Sequence, residues 1–589
     1  MADSEFAGTQ WWQTGVIYQI YPRSFQDSNG DGVGDLKGIA ARLDYLAGLG
    51  VDAIWISPIY PSPMADFGYD VTDYCGVDPL FGTMADFDAL LEAAHARGLR
   101  VILDFVPNHT SDQHPWFLES RASRKNAKRD WYLWCDPAPA SGPEDRRPAA
   151  ERYPNNWTSH FGGPSWAWDE VTEQFYLHSF LRQQPDLNWR NPEVRAAMYE
   201  AMRFWLDKGV DGFRMDVLWL LMKDEQFRDN PSNTEYTPGM HDHAKTLPLY
   251  NADQPGTHRI VAAMRALMDS YGPTIAGTGE GEDSGQVDPE TLAPMAVSNR
   301  VLIGEIYLPL PELVRYYFGR EPQTGGTEGT SPEIPELRGA NLPFNFHLIQ
   351  TEWKAARIAE IVQSYELLLP PGAWPNYVLG NHDQPRLATR IGAGQARAAA
   401  MLLLTLRGTP TLYYGDELGM EDVAIAPDQV RDPAERNEPG KGRGRDPERA
   451  PMLWVDAPNA GFTTPGNAPW LPLQPNWPTV NAKVQSTEPR SVLNLYRRLL
   501  ALRRSEPALH RGTIGEVQFE GAVLRYRRSA QEGGKEFQIL LNLGSEPAAV
   551  NSPRGRVALT TLLDGEGGMV EGPLTLEAGE GLLIELDSH

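Results

Sequence analysis

The feature that most constrains this chain is an alternation repeated eight times: a short apolar run that turns polar at its end, then an amphipathic helical stretch. VIYQIYP at Val16 precedes LKGIAARLDYLAGLG, AIWISP from Ala53 precedes MADFDALLEAAHARG, and VILDFVP from Val101 precedes, after a long excursion, NPEVRAAMYEAMRFWLDKG. GFRMDV precedes THRIVAAMRALM, VLIGEI precedes PELVRYYF, and FNFHL from Phe344 precedes TEWKAARIAEIVQSYELLL. YVLGNHD precedes GQARAAAMLLLTLRG, and TPTLYYGDE precedes RSVLNLYRRLLALRRS. Such β-branched and aromatic runs suit buried strands. Eight βα units predict an α/β fold built on a closed (β/α)8 barrel rather than an open sheet.

The connection over 108–190 is too long for a loop and is rich in Trp, Pro, Asn and Gly, so it predicts an inserted domain over the barrel mouth. The barrel then occupies 1–107 and 191–512. From Thr513 to the end at 589, short alternating runs such as VLRYRR and FQILLNL predict a C-terminal antiparallel β-sandwich. Two Gly-, Pro-, Glu- and Thr-rich stretches, 272–299 and 319–339, read as flexible loops around the mouth.

Three strand-like runs each deliver one carboxylate at their polar end: Asp216 in GFRMDV, Glu305 in VLIGEIY and Asp383 in YVLGNHDQPR. Cleaving a glycosidic bond with retention takes one carboxylate as nucleophile and a second, protonated one as acid, about 5 Å apart. Strands four and five are neighbours in a barrel, so Asp216 and Glu305 can stand at that spacing. Arg214, two residues before Asp216, shares its side of the strand and can hold that carboxylate ionised. Glu305, following Gly304 in an apolar strand, is placed for the raised pKa of a general acid. Each acid alone would read as a helix cap or an ion-pair partner. His109 in DFVPNHT and His382 beside Asp383 can hydrogen-bond sugar hydroxyls.

Composition narrows the partners. Lys and Arg total 53 against 78 Asp and Glu, a net charge of −25 with no basic stripe, which excludes nucleic acid as a natural ligand. Cys75 and Cys135 are the only cysteines, so a disulfide framework is not expected and a reducing cytoplasm is. The opening MADSEFAGTQWW carries neither a basic start nor an apolar run, and no long apolar stretch occurs, so neither a leader nor a membrane span is expected.

Taken in order, DFVPNH, QPDLNW, GFRMDV, GEIY and NHDQPR, with ADFGYDVTDY before them and GRDPERAPMLW after, resemble the signature regions of the α-amylase superfamily, in its oligo-1,6-glucosidase and α-glucosidase branch. The likeness runs from about Trp11 to Trp454. It implies Asp216 as nucleophile, Glu305 as acid and base, and Asp383 as the group gripping ring hydroxyls. Around the first glucose it adds Asp66, Tyr69, His109, Arg214, His382 and Arg445, with Tyr69 beneath the sugar ring and Phe161 and Gln184 lining the pocket from the inserted domain. In that branch Val after the nucleophile, here Val217, goes with acceptance of α-1,6 links, and Ala or Thr with α-1,4 preference.

DSNGDGVGD places oxygen groups at Asp27, Asn29, Asp31 and Asp35 and a carbonyl at Val33, a spacing that suits a hard cation. It departs from an EF-hand because the twelfth position is Gly38, and it equally suits an Asx-rich turn capping the helix at Leu36. The resembled branch holds a metal in this loop, which implies a structural Ca²⁺ or Mg²⁺; no organic cofactor is expected.

The sequence thus predicts a retaining, exo-acting α-glucosidase acting on short α-glucosides such as maltose, isomaltose or sucrose, with transglucosylation capacity. Its rivals are a sucrose isomerase, trehalose synthase or trehalose-6-phosphate hydrolase on the same fold, and a non-catalytic carbohydrate-binding or interaction protein like the transporter ectodomains built on this barrel.

Overall fold

A computed structural model describes residues 9–271, 299–320, 336–530 and 534–587. Of the two stretches read as mouth loops, 272–298 and 321–335 lie outside these residues. In chain order the strands are β1 (Ile17–Ile20), β2 (Ala53–Ile56) and β3 (Arg100–Phe105). The insertion carries β4 (Trp134–Cys135), β5 (Trp166–Asp169) and β6 (Gln174–Leu177). Then come β7 (Gly212–Met215), β8 (Val301–Gly304), β9 (Leu342–Pro343), β10 (Asn376–Val378) and β11 (Thr409–Tyr413). Strands β12 (Thr513–Glu520), β13 (Val523–Ser529), β14 (Glu536–Asn542), β15 (Ala548–Thr560), β16 (Met569–Leu576) and β17 (Gly581–Leu586) complete the chain.

Eight parallel strands pair in the order β10-β11-β1-β2-β3-β7-β8-β9, and a parallel bridge between Asn345 and Tyr377 joins the two ends of the ring. The strands are covered on both faces because helices such as Met84–His95 and Pro192–Asp207 pack outside. Those helices start where side chains replace missing backbone partners: Thr83 and Asp86 form a reciprocal capping box, and Asn191 caps Glu193 ahead of Pro192. Along each strand the pleat sends Leu103, Phe105, Phe213, Met215 and Leu302 out to the helices. Ile17, Trp55, Ile102, Val301, Ile303 and Phe344 go to a second core inside the barrel.

The sixth barrel strand lies two residues earlier than FNFHL predicts. Asn345 Oδ1 accepts the N–H of His347 at 3.0 Å, which starts the short helix His347–Gln350. Phe344 and Phe346 therefore fill the barrel interior after the strand has ended.

The insertion has its own antiparallel sheet, β4-β6-β5, around Trp157, Trp166, Phe175 and Leu177. The C-terminal strands join in one antiparallel order, β12-β13-β14-β17-β15-β16. One face, with Leu524, Tyr526 and Ile539, continues the main core, while Val523, Leu540, Val550 and Ile584 close a second core on the other. Among the described residues no helix is long and apolar enough to cross a membrane.

Candidate active site

The barrel register assembles the site. Across β3 and β7, Asp104 is the pairing partner of Arg214, and across β7 and β8 Arg214 pairs with Ile303. Two residues further along each strand, on the same side, stand Asp216 and Glu305. The inward series Ile102–Asp104, Gly212–Arg214–Asp216 and Ile303–Glu305 thus changes from apolar to charged at one level, the C-terminal rim where barrel sites form. The turn after β7 packs closely there: a Cβ on Gly304 would lie 2.9 Å from Cδ2 of Leu218, which would have to shift.

Arg214 is fully buried and serves three carboxylates. Its Nη1 donates to Asp104 Oδ1 at 3.0 Å and to Asp216 Oδ1 at 2.9 Å, and its Nη2 stands 2.8 Å from Glu305 Oε2. One guanidinium therefore bridges the two carboxyls. Burial raises the pKa of Asp216, the charge of Glu305 raises it further, and Arg214 opposes both effects. Burial likewise raises Glu305 against the pull of Arg214. Burial thus favours the protonated form of both carboxyls, while Arg214 favours the ionised one.

Asp383 has a different environment. Burial alone would raise its pKa, but the His382 ring and the guanidinium groups of Arg445 and Arg449 outweigh it and hold this carboxyl well below the usual range. Arg445 Nη1 donates to Asp383 Oδ1 at 3.1 Å and Arg449 Nη2 at 2.9 Å. Arg445 also reaches Asp66 Oδ1 at 2.7 Å and Asp432 Oδ2 at 2.7 Å, with its guanidinium 4.8 Å over the Phe161 ring. Gln184 Nε2 donates to Asp66 Oδ2 at 3.2 Å.

The hydrogen bonds around Tyr69 have one consistent direction. Its hydroxyl carries one proton, and Asp104 Oδ2, 2.9 Å away, can only accept it. The hydroxyl must then accept from His382 Nε2 at 2.7 Å, which leaves His382 Nδ1 to accept from Gln19 Nε2 at 2.7 Å. The Tyr69 and His382 rings stack at 5.4 Å and 8°. Burial lowers the pKa of His382 well below its ordinary value and pushes His109 down to about 4, so both rings stay neutral at physiological pH.

These groups line one cavity of about 800 Å³. Asp66, Tyr69, His109, Phe161, Asp216, Val217, Glu305, Asp383 and Arg445 line it directly, while Arg214, His382 and Gln184 stand behind that wall through the contacts above. The inserted domain adds Thr158, His160, Phe161 and Phe180. Sequence reasoning passed over Asp104, Gln19, Asp432 and Arg449. Asp104 had a signal, a lone acid inside the apolar run VILDFV.

The loop from Asp27 to Asp35 lies apart from this cavity. Asp27 Oδ1 accepts the N–H groups of Asn29 and Gly30 at 2.9 and 2.6 Å, and Oδ2 that of Gly32 at 2.8 Å. Asp31 Oδ1 accepts from Val33 N at 2.8 Å, and Asn29 Oδ1 from Asp31 N at 2.9 Å. Asp35 caps the helix at Leu36 by accepting from Gly38 N at 2.7 Å. The oxygen set has the chemistry of a hard-cation ligand set, and its oxygens also accept the loop's own N–H groups as an Asx-rich turn does. Among the described residues, no group of three or more His, Cys, Asp or Glu side chains is gathered as a metal cage.

An eight-stranded parallel barrel with three carboxylates, two neutral imidazoles and two buried arginines converging on a cavity at its C-terminal rim defines a carbohydrate-processing barrel protein. Residues 19–512 match the family model described as the alpha amylase catalytic domain, and the chain belongs to that family, glycoside hydrolase family 13. It is 40% identical over 560 residues to a probable alpha-glucosidase of Rhizobium meliloti, covering 93% of this chain and 92% of that protein. It is 36% identical over 588 residues to the mouse amino acid transporter heavy chain SLC3A1, covering 98% of this chain and 78% of that one. Among solved structures, an alpha-glucosyl transfer enzyme, XgtA, superposes with a TM-score of 0.84 at 39% identity, covering 98% of this chain and all of the other.

Proposed function

We propose that this protein is a retaining, exo-acting α-glucosidase that removes terminal glucose from short α-glucosides and passes it to water or to another sugar. The observation that carries this is the single guanidinium of Arg214 bound to both Asp216, at 2.9 Å, and Glu305, at 2.8 Å, which holds the two carboxyls side by side. Inverting enzymes need a gap of roughly 6.5–9.5 Å for a water molecule between their carboxyls, and retaining enzymes about 5 Å. In this reading Asp216 attacks the anomeric carbon while Glu305 gives its proton to the leaving oxygen. Glu305 then takes a proton from the incoming water or sugar hydroxyl, and the bond from Asp216 to the glucosyl carbon breaks. Asp383, held anionic by Arg445 and Arg449, grips ring hydroxyls beside the developing positive charge.

The ion pair of Asp66 with Arg445 supports exo action. Both residues line the cavity, and the 2.7 Å pair links the segment after β2 to the segment after β11 across its wall, as a pocket closed behind a terminal sugar requires. The isomerase reading loses support from the segment after Asp383. Its arginines turn into the fold, Arg386 to the Tyr414 carbonyl and Arg390 to that of Ile349. A purely binding role would not need the Asp216 and Glu305 pair. The test is glucose release from maltose and isomaltose: the unmodified protein releases it and Asp216→Asn does not, whereas release by neither overturns the proposal.

The Asp27, Asn29, Asp31, Val33 and Asp35 oxygens are proposed to hold a structural Ca²⁺ or Mg²⁺, supported by the donor chemistry of the loop. Added Ca²⁺ should raise the melting temperature and a chelator lower it; an unmoved melt contradicts the ion. Cys75 and Cys135 are free thiols, which supports a reducing compartment.

A further inference from the structure

Lys223 lies on the segment that follows β7 and Asp216, buried and without contact to the cavity, yet it reaches a substrate-facing histidine through one intermediary. Its Nζ donates to Asp186 Oδ2 of the inserted domain at 2.6 Å, to Asn108 Oδ1 after β3 at 2.7 Å, and to the Leu220 carbonyl. Three acceptors use all three N–H bonds of an ammonium group. Asn108 then has only its amide N–H₂ to offer the next partner, and Nδ2 stands 3.1 Å from Nδ1 of His109. His109 Nε2 faces the Tyr69 carbonyl at 3.2 Å.

We infer that Lys223 is a positioning residue which, through Asn108, fixes His109, a residue lining the glucose site, as the tautomer with its proton on Nε2. A lysine ammonium has no lone pair, so Asn108 must turn its oxygen toward Lys223 and its nitrogen toward His109, and Nδ1 must accept. The proton on Nε2 has the Tyr69 carbonyl as its acceptor. Gln184 Nε2 also lies 3.2 Å from His109 Nε2, a contact that favours the opposite tautomer. That alternative satisfies Gln184 but sets the N–H of His109 against the N–H₂ of Asn108 and leaves the Tyr69 carbonyl unserved. Gln184 has Asp66 Oδ2 as another acceptor, at 3.2 Å, and its orientation is fixed because Oε1 accepts from Leu181 N at 2.9 Å. The Nε2–H form therefore satisfies more of the network.

The arrangement also ties three segments at one point. Asp186 pairs with His109 through a backbone bridge and accepts from Ser179 N at 2.8 Å, so docking of the inserted domain and the donor state of His109 share one ammonium group. This rests on the glucosidase reading only for the identity of the ligand; the tautomer is a property of the protein alone.

The experiment is imidazole ¹⁵N NMR of histidine-labelled protein, with the His109 signal assigned by its loss in His109→Gln. Beside it run Lys223→Met and Asn108→Asp, the second keeping Lys223 paired with a carboxylate. The unmodified protein should show Nε2–H. Asn108→Asp, whose side chain can only accept, should show Nδ1–H, as should a folded Lys223→Met, whose freed Asn108 can flip. Where glucosidase activity is present, kcat/KM should fall at least tenfold in Asn108→Asp, about the 1.4 kcal/mol of one lost hydrogen bond. Nδ1–H in the unmodified protein, or Nε2–H persisting in Asn108→Asp, overturns the inference whether or not glucose is released.

Discussion

The backbone N–H of Val217 donates to Oε2 of Glu305 at 2.8 Å, so the residue after the proposed nucleophile holds the proposed acid on the adjoining strand. Val217 does this in the left-handed region, at φ 38° and ψ 45°, a conformation that costs a β-branched residue about 1–3 kcal/mol. Such strain persists where the surrounding structure over-determines it, and here it aims an N–H at the acid and an apolar side chain at the cavity.

Val217→Thr keeps that N–H and the branch at Cβ but adds a hydroxyl to the wall. The expected outcome is retained activity with the ratio of kcat/KM for maltose over isomaltose raised severalfold. Parallel assays of the two disaccharides check it, and an unchanged ratio would show that Val217 does not set linkage preference.

Glu305→Gln should lose about 100- to 10,000-fold on maltose, because general acid assistance is worth that much. With an aryl α-glucoside, whose leaving group departs without a proton, glucosylation should be far less affected. Equal losses on both substrates would remove Glu305 from the acid role.

Arg449→Met should shift the acid limb of the pH profile. Asp383 is pulled below the usual carboxylate range by His382, Arg445 and Arg449 against its burial, so removing one cation raises its pKa and protonates it at higher pH. The acid limb of kcat/KM should therefore move to higher pH; a stationary limb would mean that ionised Asp383 is not required.

The barrel was legible because its signals are local: apolar runs of one strand's length, helices with caps, and an acid at three of the strand ends. Asp216, Glu305 and Asp383 follow from that pattern alone. What was not legible is pairing at a distance. Arg445 reaches Asp66 across 379 residues, and Gln19 reaches His382 across 363; no periodicity encodes such partners. Asp104 was hidden for another reason. It sits inside a strand rather than at its end, where its role becomes visible only when the register places Arg214 beside it. The early end of β9 was missed because Phe344 and Phe346 look like strand residues, while the turn is set by Asn345.

Glu448 gives a stability prediction. Burial pushes its carboxyl up to about 8 from 4.5, with Arg449 opposing. A raised folded-state pKa means that the native state binds the proton more tightly than the unfolded chain. Its contribution is full below about 4.5 and is lost as pH rises to about 8. Glu448→Gln cannot ionise, so its melting temperature relative to the unmodified protein should rise across that window. Parallel melting curves would contradict the assignment.

The most direct test of the central claim is the anomer released first. Proton NMR within the first moments of maltose cleavage, before mutarotation, should show α-glucose from the non-reducing residue, since attack by Asp216 followed by water inverts the centre twice. β-Glucose released first from that residue would mean a single displacement, and would contradict both the nucleophile assignment and the reading of the bridge that Arg214 makes between Asp216 and Glu305.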